Sequence, residues 1–504
     1  MRRVASVVRA AVGGEMRRSW SPRRTALLLL GLWALTRVVL LVVSLHPRVY
    51  SAALFGDVRL YGAKVERMFQ GELPYRDVAI EYPPGSVPFT ILPALAVGTG
   101  AHYRLAFAVE MLAVDALGYY AATRLARLID AGRRRIPLAW VFGMLAVGPL
   151  LLLRFDLVPA VCVLLAVVLA AEGRPGAAAA ALGYGTAAKL YPVVLAPLLV
   201  LGLVPALGWW RSLRRTVPAF LAGFAVTVVP ALILSPSGTL GAVLYHVARG
   251  VQIESLWASA IGIAHVVAGL PAHTVVGFGA YDLDSSVSGA AKVLSSALTL
   301  VVLAAAAWLV WRRSRRRGGL GPTDWAGVMT LGVFAFVLPT RVLSPQYLVW
   351  LFAPMVGLAE RRLGRRALWL LGGAALLSQV IFPFRYNQLR HLAAFDVGLL
   401  AVRNLLLLWA CALVVRALAG GPDADPAGAA AGGTTTPARD GDGEPGPAVL
   451  ANGNPGPDPA ASREAGAGPD RAAPGEVGGA LGGGPGAGRE AGTTSGADAA
   501  AGRT

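Results

Sequence analysis

The sequence predicts an all-α polytopic membrane protein, and three observations carry that prediction. Apolar residues make up 55% of the 504-residue chain and charged residues only 15%, against about 25% charged in ordinary soluble domains. The apolar residues fall into runs of span length, since crossing a bilayer takes about 20 mostly apolar residues. Short arginine clusters separate the runs, as expected of loops retained on the cytoplasmic side. Because these clusters are scattered and form no continuous stripe, the net charge of +18 does not describe a nucleic-acid-binding surface.

Taken in order, "MRRSWSPRR" precedes the first run, 25–45, and places the arm 1–24 inside. That run is too long for a secretion signal and has no small-residue cleavage site. Residues 46–101 then form a first outer loop, and 102–128 returns the chain. Arg133 to Arg135, Arg174, Arg211 with Arg214 and Arg215, "RRSRRR" at 312–317 and "RRLGRR" at 361–366 are each expected inside. An even number of crossings must therefore separate successive clusters. That parity makes 86–99, with Pro88 and Pro93, a re-entrant or interfacial segment. It also keeps 256–270 from crossing within a second long outer loop, 235–288. About twelve spans follow, near 25–45, 102–128, 136–153, 157–171, 177–189, 191–207, 217–234, 289–311, 325–339, 347–359, 367–382 and 393–417. The membrane body is then 25–417, with both termini cytoplasmic.

From Gly421 onward five arginines stand against eleven acids, so the end of the chain is net acidic while the body is strongly basic. Stretches such as "GGALGGGPGAGREAGTTSG" have no apolar periodicity and too little apolar surface to offset the entropy of ordering. Residues 418–504 are accordingly expected to be a disordered cytoplasmic tail. Cys162 and Cys411 both lie in apolar runs, which suggests neither a disulfide framework nor a cysteine-held metal.

On this topology the candidate chemical groups outside the arginine clusters all fall on the outer side. The first loop, "FGDVRLYGAKVERMFQGELPYRDVAIEYPPG" at 55–85, supplies Asp57, Arg59, Tyr61, Tyr75, Asp77, Glu81 and Tyr82. "RFD" at 154–156 supplies Arg154 and Asp156, and "KLYP" supplies Lys189. "HVARGVQIES" at 246–255 brings His246, Arg249, Gln252 and Glu254, and "PTRVLSPQY" at 339–347 brings Arg341 and Gln346. "FRYNQLRH" at 384–391 closes the set. Convergence of chemical groups on one face is expected of a site at the extracytoplasmic end of a helix bundle.

The ordered series "GDVRLYG…GELPYRDVAIEYPPG", "RFD", "AAKLYP", "HVARGVQIES", "LSPQYLVWL" and "VRNLLLL" resembles glycosyltransferase family 87, of the GT-C class of membrane glycosyltransferases. The resemblance extends over 25–417. It implies a GT-C-like bundle of about twelve helices whose outer loops form the site. It also implies transfer of a sugar, mannose first, from a polyprenyl-phosphate donor to a glycolipid or glycan of the cell envelope. Actinobacterial members of that family include phosphatidylinositol-mannoside mannosyltransferases. A carboxylate of the first outer loop serves as base in such enzymes, and Asp57, in "FGD", matches that position.

The residue types suit this chemistry. A carboxylate must take the acceptor hydroxyl's proton while the anomeric carbon leaves phosphate, and apolar walls around an interfacial aspartate raise its proton affinity. Arg59, Arg154, Lys189, His246, Arg249 and Arg341 are the cations available for charge-assisted bonds to the leaving phosphate. Tyr61, Tyr75, Tyr82, Trp257 and Tyr347 offer stacking surfaces for a sugar. A single displacement with one base predicts inversion, although Asp57 and Asp77 as a pair would permit other schemes. No metal is assigned, because "DLD" at 282–284 is too short a match, and no cofactor is expected beyond the lipid-linked donor. The expected partners are that donor, the acceptor and membrane lipids.

Each residue also has a plainer role open to it. Asp57 suits a helix N-cap, Asp77 and Glu81 suit solvated loop charges, and Arg154 with Asp156 suits a local pair closing a turn. Lys189 and His246 suit interfacial snorkelling, and tyrosines and tryptophans gather at interfaces without any ligand. The i, i+3 spacing of His246, Arg249 and Gln252 favours one shared helical face. A second class, a transporter or flippase of a lipid-linked glycan, would place its charges near the bilayer midplane. On the sequence, ionisable residues gather at span ends and no internal repeat emerges. No Walker A or dinucleotide fingerprint is present to suggest a nucleotide donor.

Overall fold

The computed structural model describes residues 22–46, 56–129 and 134–420. The expectations for the arm before residue 22 and for the tail from 421 fall outside the described residues. Every run expected to span is helical, and the chain is an all-α membrane protein with one short hairpin in its second long loop.

The first part of the bundle holds α1 (Pro22–Leu45), α2 (Gly56–Phe69), α3 (Val87–Val97), α4 (Tyr103–Ile129) and α5 (Arg135–Val147). Next come α6 (Leu157–Ala171), α7 (Pro175–Ala188), α8 (Ala196–Leu207), α9 (Trp209–Leu234) and α10 (Pro236–Ala248). After α11 (Leu256–Ala268) the strands β1 (Ala272–Gly277) and β2 (Ala280–Ser285) pair antiparallel. The remaining helices are α12 (Ser288–Arg317), α13 (Pro322–Val337), α14 (Leu348–Met355), α15 (Arg362–Gln379) and α16 (Ala394–Ala419).

Among the described residues six helical segments are long and apolar enough to cross a membrane: Arg23–Leu45, Tyr103–Ile129, Trp209–Leu234, Ser288–Arg317, Arg362–Phe384 and Ala394–Ala419. The other expected spans are shorter, and they are the buried ones. Every residue of "LVWLFAPM" in α14 is buried, and so are most of those of α6 and α13. A helix apolar all round belongs in an interior, whereas the long outer helices show bare leucine and valine to the hydrocarbon. The segment 86–99 forms only the 11-residue α3, and 256–270 only the 13-residue α11.

Small residues set the closest helix contact. A Cβ on Gly183 of α7 would lie 2.1 Å from the carbonyl oxygen of Phe220 on α9, and one on Gly223 of α9 would lie 2.2 Å from that of Ala180. Two backbones touch there, as small-residue packing in membranes allows. At one end of the bundle Asp324 receives Arg313 at 2.9 Å and Arg317 at 3.0 Å, with Arg361 at 3.9 Å. That carboxylate gathers the arginine clusters at 312–317 and 361–366 to the same end.

Mid-span charge is more abundant than the sequence reading allowed. Arg37 in α1 and Asp115 in α4 are both buried, with Nε 2.8 Å from Oδ2. Asp115 also accepts from Trp33 Nε1 at 2.6 Å and Trp140 Nε1 at 3.0 Å, and Arg37 donates to the Val141 carbonyl at 2.8 Å. This node ties α1, α4 and α5 together and fully engages its own charge. Arg403 of α16 is a second fully buried cation.

Candidate active site

The amphipathic α2 places Asp57, Tyr61, Lys64 and Met68 on one face by the 3.6-residue period. Opposite them lies "RFD", the turn that opens α6. Arg154 and Asp156 do not close that turn as a local pair. Arg154 reaches back to α2, its Nε 2.8 Å from Asp57 Oδ2, while Asp156 Oδ1 accepts from Lys189 Nζ at 2.8 Å. Three of these four side chains are nearly inaccessible, and Asp57 alone keeps a substantial opening, with 32% of its side chain exposed. The two crossed pairs anchor α2, the start of α6 and the end of α7 to one another.

The "EYPPG" turn completes the enclosure. A Cβ on Gly85 would lie 2.6 Å from the backbone of Ala187 and Ala188, so only glycine lets this turn seat beside Lys189. Tyr82 thereby packs edge-on against Phe155 with ring centres 4.8 Å apart. Lys189 Nζ lies 5.0 Å from the Phe155 ring centre, 5.2 Å from Tyr82, 5.4 Å from Trp350 and 5.6 Å from Tyr347. Tyr347 stacks on Trp350 at 3.8 Å, and Trp350 on Tyr191 at 4.1 Å. The ammonium therefore sits within an aromatic box, held by Asp156 and by the ring faces. Burial pushes the phenols of Tyr61 and Tyr82 well up, and the negative charges of Asp57 and Asp156 add to that rise.

His246, at the end of α10, faces the same neighbourhood. Burial first, then the nearby cations Lys189 and Arg249, lower its pKa to about 4 against the raising influence of a hydrogen bond to the Glu81 backbone. Glu81 itself is paired with Lys64. The helical face proposed for His246, Arg249 and Gln252 does not exist: α10 ends at Ala248, and Arg249 has extended backbone at φ −57°, ψ 149°. From there 249–255 runs as a strap beside β2, with Leu283 N donating to Val251 O at 2.7 Å and Ile253 N to Tyr281 O at 2.9 Å. Ladder pairing to the hairpin won over helix continuation. Arg249 and His246 still share one environment, brought there by the strap, and among the described residues the buried Nε of Arg249 has no hydrogen-bond partner.

The strap is fixed from three sides. Gln252 N donates to Arg341 O at 2.9 Å, and Arg341 Nε to Arg249 O at 2.9 Å. The Gln252 side chain accepts from Glu254 N at 3.2 Å and Leu343 N at 3.3 Å. Glu254 is fully enclosed and takes Arg403 Nη2 at 3.1 Å, while Asn404 Nδ2 binds Ser259 Oγ at 2.6 Å. Burial raises the Glu254 carboxyl to about 7, against the lowering influence of Arg403. Asp282 of the "DLD" triplet accepts from Gly250 N at 3.1 Å and so belongs to the same support.

The structure thus brings together Asp57, Tyr61, Tyr82, Arg154, Asp156 and Lys189, with His246 and Arg249 beside them. Gln252, Glu254 and Arg341 support the strap. Tyr75 donates to the Tyr82 carbonyl at 2.8 Å and shapes the loop. Asp77 accepts from Leu73 N at 2.9 Å and from Arg76, a local turn of exposed charges. Arg59 occupies the opposite face of α2, and Gln346 lies on the short turn ahead of α14. Sequence reasoning missed Phe155, Trp350, Lys64, Arg403 and Asn404. Lys64 carried a usable signal as one of only three lysines in the chain, and Arg403 stood in the quoted "VRNLLLL".

Searches against family models and curated proteins returned no match. Among solved structures the chain is similar to ArnT from Cupriavidus metallidurans bound to undecaprenyl phosphate, at 17% identity over 78% of this chain and 77% of that one, with a TM-score of 0.42. It is also similar to ArnT from the same organism in the apo state, at 16% identity over 78% of each chain, again with a TM-score of 0.42.

Proposed function

We propose that this chain is an integral-membrane glycosyltransferase that moves a sugar, mannose first, from a polyprenyl-phosphate donor to an envelope glycolipid or glycan. The observation that carries the reading is the partly open Asp57 carboxylate, gripped by Arg154 next to the aromatic box around Lys189, with His246 and Arg249 in the neighbourhood. In this mechanism the carboxylate of Asp57 accepts the proton of the acceptor hydroxyl. That hydroxyl oxygen forms its bond to the anomeric carbon as the bond from carbon to phosphate oxygen breaks, and polyprenyl phosphate leaves. One base and one displacement give inversion.

Arg154 fixes which oxygen of Asp57 faces the acceptor. Lys189 and Arg249 oppose the charge that develops on the leaving phosphate, where a water-poor wall makes each cation more effective than in bulk solvent. Neutral His246 donates its one N–H to the Glu81 backbone, which leaves its other ring nitrogen to accept a hydrogen bond from substrate. In this reading the chain is a cell-membrane protein with both termini cytoplasmic and the site extracytoplasmic, which agrees with the gathering of arginine clusters around Asp324. The buried Arg37 and Asp115 do not favour a carrier, because they are engaged by each other and by two tryptophans.

The test is sugar transfer by protein in proteoliposomes, from polyprenyl-phosphate mannose to a glycolipid extract, with Asp57→Asn beside the wild type. Transfer by the wild type and a loss of about 10²–10⁴-fold in the variant are expected of a general base. Full activity in Asp57→Asn would remove Asp57 from that role. If neither protein transferred sugar but lipid-linked glycan changed leaflet, the flippase reading would replace this one.

A further inference from the structure

The face of α2 turned away from Asp57 borders a second cavity of about 520 Å³, within the size range of small-molecule sites at roughly 300–1,000 Å³. Arg59 and Arg104 line it from two different helices, with Gly62 and Ala63 leaving room between them and Glu66 and Thr99 at the rim. Glu66 accepts from Thr99 and from Gln70 Nε2 at 3.4 Å and keeps its charge, so the two arginines against one carboxylate leave the cleft net positive. By the helical period Arg59, Gly62, Ala63 and Glu66 occupy the side of α2 opposite Asp57, Tyr61 and Lys64. This cavity is not part of the chamber around Lys189.

Its surroundings point to a lipid. Leu60 follows Arg59 and is 42% exposed, and Leu105 and Val109 follow Arg104 along α4 and are 44% and 51% exposed. Arg104 stands in the first turn of one of the segments long enough to span. Arginines at a helix end beside bare aliphatic side chains mark the level where headgroups meet acyl chains. We propose that Arg59 and Arg104 clasp the phosphodiester of an anionic bilayer phospholipid, whose acyl chains run beside Leu60, Leu105 and Val109. Two planar guanidiniums suit phosphate oxygens by paired charge-assisted bonds, and a net-positive cleft selects anionic over zwitterionic headgroups. This site does not depend on the sugar-transfer reading.

The experiment measures retained lipid by native mass spectrometry after full-length protein is exchanged between phosphatidylglycerol and phosphatidylcholine nanodiscs. Wild type should hold phosphatidylglycerol preferentially, with Arg59→Gln or Arg104→Gln weakening it about fivefold each and the double variant about 30-fold. Ala63→Phe, which fills the cleft and leaves both arginines in place, should also displace the lipid. It decides the matter if loss of Arg104 prevents folding. Equal retention of both lipids, or retention unchanged in Ala63→Phe and in the arginine variants, would overturn the proposal. So would displacement by millimolar inorganic phosphate with no dependence on lipid, because the cleft would then bind free phosphate.

Discussion

Arg154 Nε lies 2.8 Å from Asp57 Oδ2, and the arginine is almost wholly enclosed while the carboxylate is not. One member of the pair is a fixture and the other faces the opening. Arg154→Lys should therefore keep the charge but lose the planar grip on one oxygen. Expected is a fall in the turnover rate of about tenfold to 100-fold with little change in donor affinity, since a base out of line loses rate more than binding. Single-turnover and binding measurements on the same proteoliposomes separate the two. A changed donor affinity at unchanged rate would instead place Arg154 on the phosphate.

Asp156 and Lys189 form a buried pair at 2.8 Å. Removing one partner leaves an uncompensated buried charge, at a cost of about 3–5 kcal/mol. Lys189→Met and Asp156→Asn should each lower thermal stability, and the double variant should recover part of the loss. Simple additivity in a double-mutant cycle would show that the pair is not coupled.

Arg37→Leu should destabilise by a similar amount, about 3–5 kcal/mol, because Asp115 would keep only its two tryptophan donors in an apolar interior. Unfolding midpoints in detergent, with Arg37→Leu/Asp115→Leu as the partner variant, provide the check. A double variant no better than the single would locate the effect elsewhere.

His246 and Glu254 titrate in opposition. His246 falls from 6.5 to about 4 on folding, so its contribution is present above pH 6.5 and is lost as pH drops toward 4. Glu254 rises from 4.5 to about 7, so its contribution is present below pH 4.5 and is lost as pH climbs through 7. In the wild type the two slopes offset each other across the shared window. Glu254→Gln should leave stability rising with pH between about 4 and 6.5, and His246→Gln should leave it falling between about 4.5 and 7. Unfolding midpoints measured over pH 4–8 for the three proteins test this, and parallel curves would refute it.

Much of the architecture was legible in the chain. Span-length apolar runs and arginine punctuation gave the helices and their order, because a bilayer enforces length and internal hydrogen bonding directly on local sequence. The dominance of "RFD", "EYPP" and "KLYP" in the chamber was also visible as polar residues at span ends. The strap at 249–255 was not, because its pairing partner is the hairpin, in which Phe278 and Gly279 both adopt positive φ in a tight two-residue turn. A periodic spacing such as that of His246, Arg249 and Gln252 cannot reveal that a distant β-strand will claim the backbone.

What the sequence by itself determined is the class of molecule and its helical runs. Each of these follows from solvent acting on short stretches of chain. Only the tertiary structure decided the partners: Arg154 with Asp57 rather than Asp156, Asp156 with Lys189, Glu254 with Arg403, and Arg59 in a cleft of its own. Charges buried in a low-dielectric interior must find compensation within a few ångströms. Which opposite charge lies within that reach is set by helix packing, not by separation along the chain.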